Sequence, residues 1–204
     1  MTLSNYAMDT SYIEYIDLPI IPKELIPEAK AIIDLPIWGF DTDGGGYHKA
    51  DNKYSTKKIS MTVKDWMVEN FNFDFVANFV VFNGAIPAHK DMRTSAYNYL
   101  LDTGGEDIKT TVWQGEISKE DYESYTGYNE RITSGDNNLI ALQSMVIEPF
   151  RWHKLRTDLM HSVNGTYSRP RVMISVTPIE YLSFPKNPET AKKFKVWMET
   201  WDKE

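Results

Sequence analysis

The sequence predicts a mainly β fold, a sandwich or barrel with helices beside it. Three observations point there. Phe75-Val-Ala-Asn-Phe-Val-Val-Phe82 is an almost unbroken apolar run, rich in aromatic and β-branched residues and of strand length. Four short segments of similar character then follow closely: Leu139–Ile147, Phe150–Arg156, Leu159–Val163 and Arg171–Thr177. Pro149, Asp158, Asn164-Gly165 and Pro170 punctuate them, and these residue types end strands and make turns. Short strands with frequent turn signals describe a sandwich or barrel.

Taken in order, the chain opens polar and turns apolar at Ile13-Glu-Tyr-Ile16 and Ile20-Ile21, which suits an edge strand. Pro27 before Glu28-Ala-Lys-Ala-Ile-Ile33 reads as a short helix with proline in its first turn. The stretch from Asp41 to Ser55 carries Gly44-Gly45-Gly46 and reads as a loop. A phosphate cradle would need Gly-Lys-Ser/Thr opening a helix; here Tyr47-His48-Lys49 follows, and His48 reads as a loop residue in preference to a ligand, in a loop able to close over a site. Thr62-Val63-Lys64-Asp65 has the form of a helix cap, with Val63, Trp66 and Met67 on one side of a helix ending near Asn70.

After the apolar strand, Asn83-Gly84 turns the chain and Pro87 precedes His89. Thr94–Leu101 reads as a strand ended by Asp102-Thr-Gly-Gly105, with Lys109–Gln114 pairing back on it as a hairpin. Ser118–Asp136, polar and bearing Tyr122, Tyr125 and Tyr128, reads as an insertion loop. Asn187-Pro188-Glu189 opens a C-terminal helix over 188–201, whose Phe194, Trp197, Met198 and Trp201 recur at helical spacing for packing. One domain of 204 residues with its core over about 75–177 is the organisation expected.

Composition narrows function. A net charge of −7 from 22 basic and 29 acidic residues disfavours a nonspecific grip on nucleic acid, which requires a basic surface. The absence of cysteine removes disulfides, thiolate nucleophiles and cysteine-type zinc sites. Asp9, Glu14 and Asp17 precede the first basic residue, Lys23, the reverse of a secretory signal. No apolar run approaches the ~20 residues that cross a bilayer. The expectation is a cytoplasmic protein with no membrane partner; the oligomeric state is left open.

The chemistry concentrates in two places. His89 and Asp91 are spaced i, i+2, which on a strand turns both side chains to one face. His161 lies much further on in a β-branched context. Two imidazoles and a carboxylate are the facial set that holds non-haem Fe(II) with positions open for a co-substrate and O2. Ten residues past His161, Arg171 opens Arg171-Val-Met-Ile-Ser-Val176, where Arg171, Met173 and Ser175 share one face of a strand and Val172, Ile174 and Val176 the other. A guanidinium there suits a carboxylate gripped through two hydrogen bonds. Arg169 has the same parity but precedes Pro170, outside the strand proper. His153, between Trp152 and Lys154, reads as a packing residue. Arg93 and Trp113 are candidate substrate contacts by residue type.

The ordered set His89, Asp91, His161 and Arg171, with Ser175 in support, resembles the Fe(II)- and 2-oxoglutarate-dependent dioxygenases over roughly Phe75 to Thr177. Ile86-Pro-Ala-His-Lys-Asp and His161-Ser-Val-Asn are similar to small microbial or phage-type members and to the prolyl and aspartyl/asparaginyl hydroxylases. The resemblance implies a double-stranded β-helix (jelly roll, cupin-like) with flanking α-helices. It implies His89, Asp91 and His161 as iron ligands, Arg171 and Ser175 on the far carboxylate of 2-oxoglutarate, and Asn98 as a further co-substrate contact. The reaction implied is hydroxylation of an amino-acid, peptide or small-metabolite C–H bond, with release of succinate and CO2. Two rival readings are a jelly-roll binding module for a sugar or peptide, and a cupin-like metal-dependent isomerase. Neither needs a cation at Arg171.

Overall fold

The computed structural model describes residues 11–27, 54–82, 84–91, 93–115 and 139–182. The expected helix over 28–33, the loop with His48, Asn83, the insertion over 118–136 and the C-terminal helix lie outside them.

Among the described residues, ten strands form two antiparallel sheets. They are β1 (Ile13–Tyr15), β2 (Tyr54–Lys58), β3 (Phe75–Phe82), β4 (Ile86–His89) and β5 (Ser95–Thr103). Then follow β6 (Lys109–Gln114), β7 (Ile140–Val146), β8 (Trp152–Arg156), β9 (Met160–Asn164) and β10 (Arg171–Pro178). One sheet runs β1-β8-β5-β10-β3-β2 and the other β4-β9-β6-β7. With the edge strands β1 and β2 set aside, β3 pairs with β10, β4 with β9, β5 with β8 and β6 with β7. The middle of the chain is therefore one long antiparallel ribbon, wound so that successive pairs alternate between sheets. This is a double-stranded β-helix, the cupin-like jelly roll that the sequence implied.

The winding corrects one expectation. β5 and β6 do not form a hairpin: β6 pairs with β7 and β9 in the opposite sheet. Turn residues after Asp102 signal a change of direction but carry no information on which sheet receives the next strand. Gly104, at φ 79°, makes this crossing, and its oxygen accepts from the backbone N–H of Ser168 and Arg169. A Cβ there would stand 2.9 Å from Cβ of Arg171 and 3.0 Å from its nitrogen, so glycine is required by both angle and space.

Strand β10 shows why the sheet is apolar on one side and chemical on the other. Val172, Ile174 and Val176 pack with Phe79, Val81, Tyr99, Leu101 and Trp152 beneath Val63 and Met67 of the helix α1 (Met61–Asn70). Burying an Ile or Val side chain of this kind stabilises by roughly 1.5–3 kcal/mol. The helix begins two residues earlier than its sequence cap suggested: Ser60 accepts from the backbone of Val63 at 3.4 Å. It ends where Phe71 turns extended, its N–H still bonded to Met67. A second apolar cluster, Ile13, Leu100, Val112, Ile147 and Leu155 with Met173 against it, fills the space between the sheets. β3 is covered on both faces, as its sequence predicted. Among the described residues no helix is long and apolar enough to cross a membrane.

Candidate metal centre

His89 ends β4 and His161 sits in β9, and the two are direct partners across the strands. Their ring centroids are 4.2 Å apart. A register shift creates this pairing. Ile86 opposes Val163, so an uninterrupted ladder would set residue 88 against 161; a shift between Ile86 and His89 sets His89 there instead. β4 is an edge strand, and the shift spans Pro87, a residue with no N–H to give a ladder.

Asp91 follows at the strand's end, anchored by its N–H to the carbonyl of Thr157 at 2.9 Å. One carboxylate oxygen, Oδ1, stands 3.5 Å from His89 Nε2, and the other, Oδ2, accepts from Arg93 Nε at 2.9 Å. One ligand atom from each of His89, Asp91 and His161 fall within 4.8 Å of one another. His161 Nδ1 is 3.0 Å from the carbonyl oxygen of Leu159. A carbonyl only accepts, so Nδ1 carries the proton and Nε2 keeps its lone pair, the arrangement of a metal-binding imidazole with its outer partner in place.

Charge states agree with that role. Burial opposes ionisation of Asp91, but Arg93, a hydrogen bond from His89 and the nearby imidazoles outweigh it and hold the carboxyl well below its usual range. Burial lowers His161 to about 4, with His89 adding to the effect. A charged carboxylate and a neutral imidazole are the forms that bind a cation. Two nitrogens and one oxygen suit a divalent first-row metal.

Arg171 is buried, 2 % exposed, at the other end of the same interior. Its Nη2 reaches across the sandwich to Thr110 Oγ1 at 3.3 Å and Nη1 to the carbonyl of Thr103 at 3.4 Å, while Nε has no partner. No ion pair among the described residues includes it. Burial lowers its pKa to about 10, so it remains a cation at neutral pH. A buried, incompletely bonded guanidinium is costly unless an anion completes it, and the residues thus fit a carboxylate ligand. The hydroxyl of Tyr167, also buried, is likewise without a partner, and burial raises it to about 12.

The remaining expected residues divide. Asn98 and Ser175 are direct partners on β5 and β10, and Asn98 also opposes His153 on β8, so all three form one buried row. Asn98 Oδ1 and His153 Nδ1 have no partner in it. Burial, with Arg171 adding to it, lowers the pKa of His153 to about 3. Ser175 accepts from Arg93 at 3.4 Å and not from Arg171. Trp113 is not brought to the triad. Val112 opposes His161, so the next residue turns to the other face of the sheet, where Trp113 donates to Ser162 at 2.9 Å and packs on Ala88, Leu139 and Met160. Arg93 is engaged with Asp91 and with Thr177, whose Oγ1 accepts at 2.6 Å. Sequence reasoning missed Thr110, Thr157, Tyr167 and Thr177. Only Thr177 left a local signal, its strand parity with Arg171 and Ser175.

No family model and no curated protein matches the sequence. Solved structures do match in fold. HygX from Streptomyces hygroscopicus, with nickel and 2-oxoglutarate bound, superposes at a TM-score of 0.51 and 10% identity, over 90% of this chain and 91% of that one. That likeness shows a shared fold. A recombinant oxalate oxidase in complex with glycolate matches at TM-score 0.36 and 16% identity, over 65% of this chain. This chain spans 54% of that oxidase's length.

Proposed function

We propose that this protein is an Fe(II)- and 2-oxoglutarate-dependent oxygenase that hydroxylates a C–H bond of an amino acid, peptide or small metabolite, with release of succinate and CO2. One observation carries the reading: a His-Asp-His cluster and a buried guanidinium, lacking an acid partner among the described residues, share one interior. Thr110, bonded to Arg171, opposes Val163, two residues along β9 from His161. Two strand residues span roughly 7 Å. That separation suits a five-carbon diacid with one end at a metal and its far carboxylate on Arg171.

In this reading His89, Asp91 and His161 hold Fe(II), Arg171 holds the far carboxylate, and Ser175 and Asn98 are co-substrate contacts on the interior wall. Bound iron, with 2-oxoglutarate and O2, supplies the oxidising chemistry. The chain's own work is orientation and exclusion of water. Leu159 fixes the His161 tautomer, while Leu100, Val112 and Met173 keep the interior apolar beside the cluster. Its substrate class and a cytoplasmic location belong to the same proposal.

Anaerobic addition of Fe(II) and 2-oxoglutarate is expected to give a weak visible charge-transfer band. Air should then yield succinate, fastest with the true substrate in a screen of amino acids, peptides and metabolites. His161→Ala should lose both signals. A folded wild-type protein giving neither would leave the jelly-roll binding module as the better reading.

A further inference from the structure

Arg93 does more than offer a candidate substrate contact. Its Nε donates to Asp91 Oδ2 at 2.9 Å, and its Nη1 donates to Thr177 Oγ1 at 2.6 Å and contacts Ser175 Oγ at 3.4 Å. Its carbonyl accepts from Thr157 Oγ1 at 2.9 Å, and the carbonyl of Thr157 in turn accepts from the N–H of Asp91. The guanidinium therefore ties the carboxylate, which follows an edge strand of one sheet, to β10 in the centre of the other. Asp91 is thereby fixed at both its backbone and one of its oxygens. Only Oδ1 is left turned toward His89.

We propose that Arg93 is a positioning residue that holds Asp91 as a one-oxygen ligand and fixes its direction by bracing it against Thr177 across the two sheets. This rests on the metal reading above and adds a role that neither the His-x-Asp spacing nor a substrate contact would give Arg93. A carboxylate on a short side chain rotates freely unless its second oxygen is held. Outer partners of this kind are worth about 10–100-fold in metal affinity. The positive charge of Arg93 acts in the opposite direction, repelling a cation, so a simple charge removal would mix two effects of opposite sign.

Two neutral variants separate them. Arg93→Gln sets an amide nitrogen at the same number of bonds from Cα as the arginine Nε, so the bond to Oδ2 is kept without the charge, while the bond to Thr177, made by the more distant Nη1, is lost. Arg93→Met has similar length and neither charge nor donor. Co(II) alone is the probe, with affinity followed by the metal's visible absorption in wild type, both variants and His161→Ala. Thermal melts of the metal-free proteins report folding. The expected result is that Arg93→Met binds Co(II) at least tenfold more weakly than Arg93→Gln while the two melt alike. Equal Co(II) affinity in the two variants, with Thr177→Val binding as wild type does, overturns the positioning role and leaves the metal centre standing. Wild type no better than His161→Ala overturns the metal centre, and this inference with it. Should Arg93→Met fold poorly, Thr177→Val, which removes the brace and leaves Arg93 in place, is expected to weaken Co(II) binding severalfold; unchanged binding there also counts against the proposal.

Discussion

His89 and His161 stand opposite each other on β4 and β9 only because the ladder slips between Ile86 and His89. In strands a slip of one residue exchanges the two faces, so the imidazole pairing depends on the register of a four-residue strand as much as on the identity of its one histidine. The double variant Ala88→His/His89→Ala, which puts the histidine where an uninterrupted ladder would need it, should leave no histidine opposite His161. The expected outcome is loss of Co(II) binding with the far-UV circular dichroism kept, because β4 is an edge strand and the core lies elsewhere. Ala88 is itself buried, so the melting temperature should fall modestly. Retained binding would mean that the slip has no part in the site.

Arg171 is in conflict with stability. Its hydrogen bonds are long, its Nε has no partner, and its charge is buried. An apolar side chain of similar volume avoids the desolvation cost, and such replacements are neutral or stabilising. Arg171→Met is therefore expected to raise the stability of the ligand-free protein by on the order of 1–2 kcal/mol, measured by urea unfolding. On the proposed function, the same change should weaken 2-oxoglutarate binding about 100-fold or more and abolish the rise in melting temperature that 2-oxoglutarate is expected to give wild type. A variant that is both less stable and unaltered in 2-oxoglutarate binding would assign Arg171 to the fold alone.

How much of this could be read from the sequence follows the range of the interaction concerned. Strand parity is local, so the division of β10 into Arg171, Met173 and Ser175 against Val172, Ile174 and Val176 was legible from six consecutive residues. So were β3 and β6, whose bounds the structure repeats. Pairing is not local. The turn after Asp102 looks the same whether the chain folds back or crosses to another sheet, and the hairpin expectation failed on that ambiguity. The row of His153, Asn98 and Ser175 likewise exists only once β8, β5 and β10 are aligned. The apparent promise of Trp113 came from residue type, while its face is fixed by the register of β6 on β9. At Arg93 the sequence offered an arginine beside a His-x-Asp pair, with nothing to say that Thr177 from the far end of the ribbon would take its other nitrogen.

The two buried imidazoles make acid stability predictable in sign. Burial lowers His153 from 6.5 to about 3 and His161 from 6.5 to about 4. Each therefore binds a proton less readily in the folded chain than in the unfolded one. As pH falls below 6.5 the unfolded chain takes up protons that the folded chain refuses, so stability declines with falling pH from that point. The decline continues until the folded pKa values are passed, near 4 for His161 and near 3 for His153. Asp91 acts lower: its carboxyl is depressed below 3.8, so the stability it contributes is lost only as pH drops through its folded value. At pH 4 the His153 share alone comes to about 3 kcal/mol, taking about 1.4 kcal/mol per pH unit below 6.5. Urea unfolding of the metal-free protein from pH 7 to pH 4 should show this slope, and His153→Gln, which cannot titrate, should remove roughly half of it. A wild-type stability flat across that range would mean that the interior admits water or a counter-charge beside His153, and the dry polar row it shares with Asn98 and Ser175 would have to be redrawn.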